Sequence, residues 1–333
     1  MFKRFIFISF PILLIAGIYF LGPVPQKPKF DPGIPVVPTD ANGLETYINS
    51  QEAMHNVKPD NEARIVWLDS SRQKTEYSVV YLHGFSASQE EGAPVHTDFA
   101  RRFGCNLYLP RLADHGIDTT EQLLYFTAGR LWESSKEALA IGKAIGDKVI
   151  LMSTSTGGTM ALMLAAQYPD DVHALINMSP NIEINDPSAF LLNNPWGLQI
   201  ARLVVGSNYQ EINYKPERLP YWNAKYRLES LTQLQELLED KMNKETFSKV
   251  TQPSLTLFYY KDEHNQDPTV KVSAMLRMNK ELGTPDELKE AVAIPNAGAH
   301  VIGSHLVSKD LESVEKAINA FAEQKLGLKP LNK

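Results

Sequence analysis

Apolar positions along the chain fall into two alternating patterns. Short, nearly continuous apolar runs of strand length occupy residues 63–68, 77–82, 106–110, 148–152, 172–178, 254–260 and 291–294. Between them lie longer stretches with helical spacing: 94–103, 120–145, 158–168 and 308–324. In the second of these, Leu131, Trp132, Ala138, Ile141 and Ile145 recur on one face. Runs without polar alternation belong to strands buried on both faces. Strands alternating with helices predict an α/β chain: a mostly parallel central sheet with helices on both faces. The alternation breaks at about 181–251. There a predicted helix over 228–242 carries Leu231, Leu234, Leu237 and Leu238 on one side. This stretch reads as a mostly helical insertion between two strands, placed at their carboxyl ends, where open α/β sheets bind ligands.

The first 22 residues follow neither pattern. Lys3 and Arg4 precede an uncharged, mostly apolar run over residues 5–21, about the shortest length that spans a membrane as a helix. Bulky residues after Ala16 give no small-x-small cleavage site, so residues 1–22 are expected to be a transmembrane signal-anchor, with a cleaved signal peptide as the alternative. The flanking charges favour a cytoplasmic N-terminus. The globular domain is then expected to be membrane-anchored outside the cytoplasm, periplasmic or extracellular, or secreted if the segment is removed. Residues 23–39 hold six prolines, which neither a helix nor a central strand accommodates. They are expected to form an extended tether to a domain over 40–330.

Composition narrows the chemistry by exclusion. Of the 333 residues, 43% are hydrophobic and 22% charged, with a formal net charge of −6. That is ordinary for a globular protein. No basic tract provides a nucleic-acid footprint. The one cysteine, Cys105, forms no intramolecular disulfide and no cysteine metal site, and is expected to be buried and inert.

The strongest chemical signal is the junction of the 148–152 strand with the following helix, Ser153-Thr154-Ser155-Thr156-Gly157. A strand that runs through small residues straight into a helix is the setting of a G-x-S-x-G elbow, whose turn lifts the serine hydroxyl above the sheet. Here Ser153 stands where that pattern has its first glycine. A nucleophilic serine requires N–H donors for the oxyanion. Phe85, after His83-Gly84 at the end of the 77–82 strand, and Thr156, next to the serine, occupy the two expected places. It also requires a base. His300, in the small-residue loop after the last strand, is favoured over His305 and His264. The acid that orients the base should follow the 254–260 strand. Asp267 is favoured over Asp262 because Val270 can anchor its loop. The order serine, acid, histidine is that of one hydrolase architecture. No metal or cofactor is expected.

By these residues the chain resembles the α/β-hydrolase superfamily over roughly 66–321. The segment Arg111-Leu112-Ala113-Asp114-His115-Gly116 is similar to one found in the monoacylglycerol lipase-like, serine aminopeptidase S33-type branch. The resemblance implies an α/β-hydrolase fold with a helical lid at 181–251. It also implies cleavage of carboxylic esters through an acyl-enzyme, as in lipases and esterases, on a small-molecule or lipid ester. Arg111 and His115 are expected to be structural. Trp196, Tyr221 and Trp222 could line an acyl pocket or pack within the insertion. A peptidase or amidase with the same triad remains the second reading, and a silent binding module on this fold the third.

Overall fold

The computed structural model describes residues 17–331. Helix α1 (Ala41–Glu52) starts at Asp40, whose carboxylate accepts the Gly43 N–H at 2.8 Å. Strands β1 (Arg64–Val66) and β2 (Thr75–Leu82) follow, then helix α2 (Val95–Phe103) and strand β3 (Asn106–Leu109). Helix α3 (Ala128–Ile145) leads to β4 (Gly146–Thr154), and α4 (Thr156–Gln167) leads to β5 (Val172–Met178). Next come α5 (Gly197–Val205), β6 (Tyr209–Glu211), β7 (Lys225–Arg227), α6 (Leu228–Lys241) and α7 (Lys244–Phe247). The chain closes with β8 (Ser254–Phe258), β9 (Tyr260–Asp262), β10 (Asn265–Gln266), α8 (Val272–Glu281), β11 (Lys289–Ala293) and α9 (Leu311–Gln324).

Seven strands form the central sheet in the order β1-β3-β2-β4-β5-β8-β11. Only β1 is antiparallel to its neighbour, and every other pair is parallel. From β2 the chain steps outward to β3 and then returns past β2 to β4. The direction of growth reverses between β2 and β4, so the loops leaving their carboxyl ends diverge and open a crevice. Successive residues of these strands point to opposite faces. Val80, Leu82 and Leu151 pack with α3 and α4, whereas Val79, Tyr81, Ile150 and Met152 pack with α2 and α9. Both faces are therefore buried, which is why these strands lack polar alternation.

Several boundaries differ from the sequence expectation. Helix α3 begins at Ala128, not at residue 120: Thr127 caps it by accepting the Arg130 N–H. Leu123 and Phe126, which extend the apolar spacing upstream, are buried from a turn in which Leu123 has φ 59°. Helix α9 begins at Leu311 because Asp310 accepts the Ser313 N–H. Helix α8 was not anticipated, although Val272, Met275 and Met278 recur at three-residue spacing and are buried. The insertion between β5 and β8 carries α5, α6 and α7, and also the antiparallel hairpin of β6 and β7.

Residues 23–39 form neither helix nor strand, and they are fastened to the domain. Trp132 Nε1 and Lys136 Nζ donate to the Asp31 carbonyl at 2.8 and 2.9 Å, and Tyr168 Oη donates to the Pro32 carbonyl at 2.9 Å. Phe30, Ile34 and Val37 pack against the core. The apolar run over 5–21 falls mostly outside the described residues. Among the described residues no helix is long and apolar enough to cross a membrane.

Candidate active site

Ser155 sits at the sharp junction of β4 and α4 with φ 54° and ψ −121°. A positive φ at a non-glycine residue costs about 1–3 kcal/mol and persists only where the surroundings impose it. Here the Ser155 N–H donates to the Met178 carbonyl, and the Ser155 carbonyl accepts from Gly158 and Asn181 N–H. Gly157 lets α4 cross the end of β2 at close range: a Cβ there would lie 1.9 Å from the Leu82 carbonyl oxygen. Backbone cannot yield at such a contact. Gly157→Ala is therefore expected to cost more than the ~1–3 kcal/mol usual for overpacking, read as a lowered urea midpoint. An unchanged midpoint would contradict this packing. The departure at Ser153 also has a structural reason. Its buried hydroxyl donates to Asn177 Oδ1 at 2.7 Å, tying β4 to β5 immediately before the elbow.

The loop after β2 faces Ser155. A Cβ on Gly84 would lie 2.9 Å from Ser155 Cβ, so glycine permits this approach. His83 is fully buried and holds the loop. Its Nδ1 donates to the Gly84 carbonyl at 3.0 Å, and its Nε2 accepts the Leu112 N–H at 3.1 Å. Burial lowers its pKa to about 3, so the ring is neutral. The Phe85 ring packs edge-on against His115, Phe126 and Tyr226, which fixes its backbone. Among the described residues neither the Phe85 nor the Thr156 N–H forms a hydrogen bond. Thr156 opens helix α4, whose N-terminal dipole favours negative charge.

Across the crevice, His300 Nδ1 donates to Asp267 Oδ2 at 2.7 Å. Asp267 is fully buried, and its other oxygen accepts the Thr269 and Val270 N–H groups at 2.8 and 3.0 Å. Burial opposes its ionisation, but the His300 charge and hydrogen bond, with the two N–H groups, outweigh it and hold the carboxyl below its ordinary range. Burial likewise opposes charge on His300, but the Asp267 charge and hydrogen bond prevail and raise the imidazole above its ordinary value. His300 Nε2 and the Ser155 hydroxyl line the same cavity without a hydrogen bond between them. Such contacts are often long before substrate binds. The rival acid and bases lie elsewhere. Asp262 is exposed and accepts the His264 and Asn265 N–H groups at the tip of the β9–β10 hairpin. His264 is exposed, and His305 faces Glu90 at the surface.

The cavity measures about 490 Å³ and brings together Phe85, Ser155, Thr156 and His300. The insertion roofs it with Ile212, Tyr226, Leu231 and Leu234. Trp222 also lines it, whereas Tyr221 Oη bonds to Asp60 outside. Trp196 lies away from it, donating to the Ile18 carbonyl. Glu91 lines the cavity and was not anticipated, since Gln89-Glu90-Glu91 reads as a surface charge run. It is fully buried, and its Oε2 accepts the Gly84 N–H at 2.5 Å. Burial pushes its carboxyl up to about 7, against the Gly84 N–H and the positive charges of His300 and Arg218. Arg111 pairs with Glu52 at 2.8 Å in a nearly buried contact that ties α1 to the β3 loop, and His115 packs behind Phe85. Burial raises the Cys105 thiol to about 12, which leaves it protonated.

Residues 134–295 match the family model described as serine aminopeptidase, S33. The chain has the α/β-hydrolase fold. It superposes at TM-score 0.60 on a structure reported for the metagenome-derived lipolytic enzymes LipS and LipT, at 17% identity, covering 80% of this chain and 99% of that one. The monoglyceride lipase of Saccharomyces cerevisiae gives TM-score 0.57 at 14% identity, covering 79% and 91%. The monoacylglycerol lipase of Paleococcus ferrophilus gives 0.53 at 14%, covering 77% and 96%. At these identities the likeness to solved structures is one of fold. No curated protein matches the chain.

Proposed function

We propose that this α/β-hydrolase cleaves carboxylic esters through an acyl-enzyme on Ser155. The observation that carries the reading is the His300–Asp267 hydrogen bond in the cavity that Ser155 lines from a strained elbow. In the proposed cycle His300 Nε2 takes the Ser155 proton as Oγ attacks the ester carbonyl. The carbonyl oxygen becomes negative and is held by the Phe85 N–H after β2 and the Thr156 N–H at the start of α4. The C–O bond breaks, and His300 returns the proton to the departing alcohol. His300 then activates water, which releases the acid and frees Ser155. The insertion over 181–251 acts as the lid, and the lipase and esterase neighbours support an ester as substrate.

A panel of p-nitrophenyl esters of increasing acyl length tests this directly: turnover supports the reading, and none across the panel refutes it. The family description keeps a peptidase or amidase as second reading. Matched amides cleaved faster than their esters would favour it. The base acts only when neutral, and Asp267 raises the His300 pKa. The value of kcat/KM should therefore fall as pH drops through a midpoint above the ordinary imidazole value. An acid limb below that value would contradict the ion pair.

We further propose that the N-terminal run holds the protein at a membrane, with the hydrolase domain on the non-cytoplasmic side. The helical turn at 17–20 is tied to the insertion: Trp196 Nε1 donates to the Ile18 carbonyl and Trp196 N–H to the Pro23 carbonyl, each at 3.0 Å. Helix α5, which starts beside Trp196, leaves Leu203 and Val204 83% and 80% exposed. The full chain is expected in the membrane fraction and a chain starting at residue 23 in the soluble fraction. Identical partitioning of the two would overturn this anchor.

A further inference from the structure

One cation in the cavity plays no part in the proposed cycle. Arg218 ends a short helical turn, Pro216–Arg218, in the insertion and lines the cavity with Ser155 and His300. Its guanidinium carbon lies 4.1 Å from the Tyr214 ring centre and 4.6 Å from that of Trp222. Trp222 is itself buried, so the guanidinium rests between two rings, one of them in the core. The nitrogen Nε is buried and has no hydrogen-bond partner among the described residues. Of the arginines among the described residues, only Arg218 and the exposed Arg277 form no ion pair. Burial works against the Arg218 charge, and Tyr214, Glu91 and Glu217 offset it only in part. The nearest cavity carboxyl, Glu91, is engaged with the Gly84 N–H instead.

A half-buried guanidinium that is stacked and lacks a carboxylate is arranged to receive one, because its planar donors match a carboxylate edge in bidentate fashion. Among the described residues no other Lys or Arg lines the cavity, so the site suits one carboxylate better than a phosphate dianion. Ile184, Ile212, Leu231 and Leu234 give the cavity an apolar side, while Ser86, Asn181 and Thr269 add polar lining. We propose that Arg218 is a specificity residue that binds a carboxylate on the substrate, and that the substrate class is an ester joining an apolar portion to a free carboxylate. This rests on the serine-ester reading for its chemistry, but the anion site can be measured without turnover.

The test uses the full chain and two series of substrates. One is the mono-p-nitrophenyl esters of succinate, glutarate and adipate; the other is the same esters with the free carboxylate capped as a methyl ester. The ratio of kcat/KM for free over capped acid should reach at least tenfold for one length and fall at least tenfold in Arg218→Gln. Arg218→Lys keeps the charge but loses the flat stack, and should retain an intermediate ratio. Raising the salt concentration should lower the ratio in the wild type. A wild-type ratio near or below one, or a ratio unchanged in Arg218→Gln, overturns the proposal. Calorimetry of monomethyl glutarate with the Ser155→Ala and Ser155→Ala/Arg218→Gln proteins provides the second arm. Binding to the first and loss in the second supports the site; equal binding, or none to either, overturns it. If the wild type cleaves no ester and takes no fluorophosphonate label, the serine reading fails, and the calorimetric arm still decides on Arg218. Circular dichroism confirms that each variant is folded. Should Arg218→Gln not fold, the Arg218→Lys and salt series decide the question.

Discussion

Ser155→Ala is expected to lower kcat for ester hydrolysis by about 10⁶-fold, the scale on which serine hydrolases lose activity when the nucleophile is removed. The fold should remain. Ser155 Oγ makes no hydrogen bond among the described residues, and the backbone bonds that fix the elbow come from its N–H and carbonyl groups. Alanine retains the Cβ and adopts the positive φ at a cost similar to that of serine. The unfolding free energy from urea titration should therefore change by less than about 1 kcal/mol while activity disappears. Activity within tenfold of wild type would remove Ser155 from the chemistry. Lost activity together with a collapsed midpoint would mean that the elbow, rather than the hydroxyl, had been disturbed.

Asp267→Asn is the second large effect. It should lower kcat about 10⁴-fold, or about 5 kcal/mol of transition-state stabilisation. The carboxylate accepts the His300 Nδ1–H, which leaves Nε2 as the acceptor facing Ser155. An amide that donates at this place would favour the opposite tautomer and would stabilise no imidazolium. The sign of the pH effect follows from the same contact. Asp267 raises the His300 pKa, so its neutralisation should move the acid limb of the residual activity to lower pH. Asp262→Asn serves as the control, because that carboxylate only closes an exposed hairpin. It is expected to change kcat/KM by less than threefold. Were Asp262→Asn the more damaging change, the acid would have to be reassigned.

The sheet was legible in the sequence because β2, β4 and β5 are buried on both faces and so read as unbroken apolar runs. The pairing of Asp267 with His300 was legible for a local reason. Val270, three residues after Asp267, is buried and draws the loop inward, and its N–H bonds the carboxylate. The rest depended on contacts between residues distant in sequence. Glu91 looks like one charge in an exposed run until the β2 loop, whose Gly84 N–H it accepts, packs against its carboxyl. Arg218 gains its meaning only when Tyr214 and Trp222 stack around it over the cavity. Ser153 reads as a flaw in the elbow pattern until Asn177 is seen across the strand pair. Trp196, a candidate wall of the acyl pocket, instead holds the N-terminal segment, a contact between residues 178 positions apart.

Whether Ser155 is an activated nucleophile is open to direct measurement. The most direct measurement is reaction of the folded protein with a fluorophosphonate probe, followed by mass-spectrometric mapping of the modified peptide. Stoichiometric labelling on Ser155 is expected, slowed strongly in His300→Ala and absent in Ser155→Ala. No labelling of the wild type, or labelling at another residue that persists in Ser155→Ala, would contradict it.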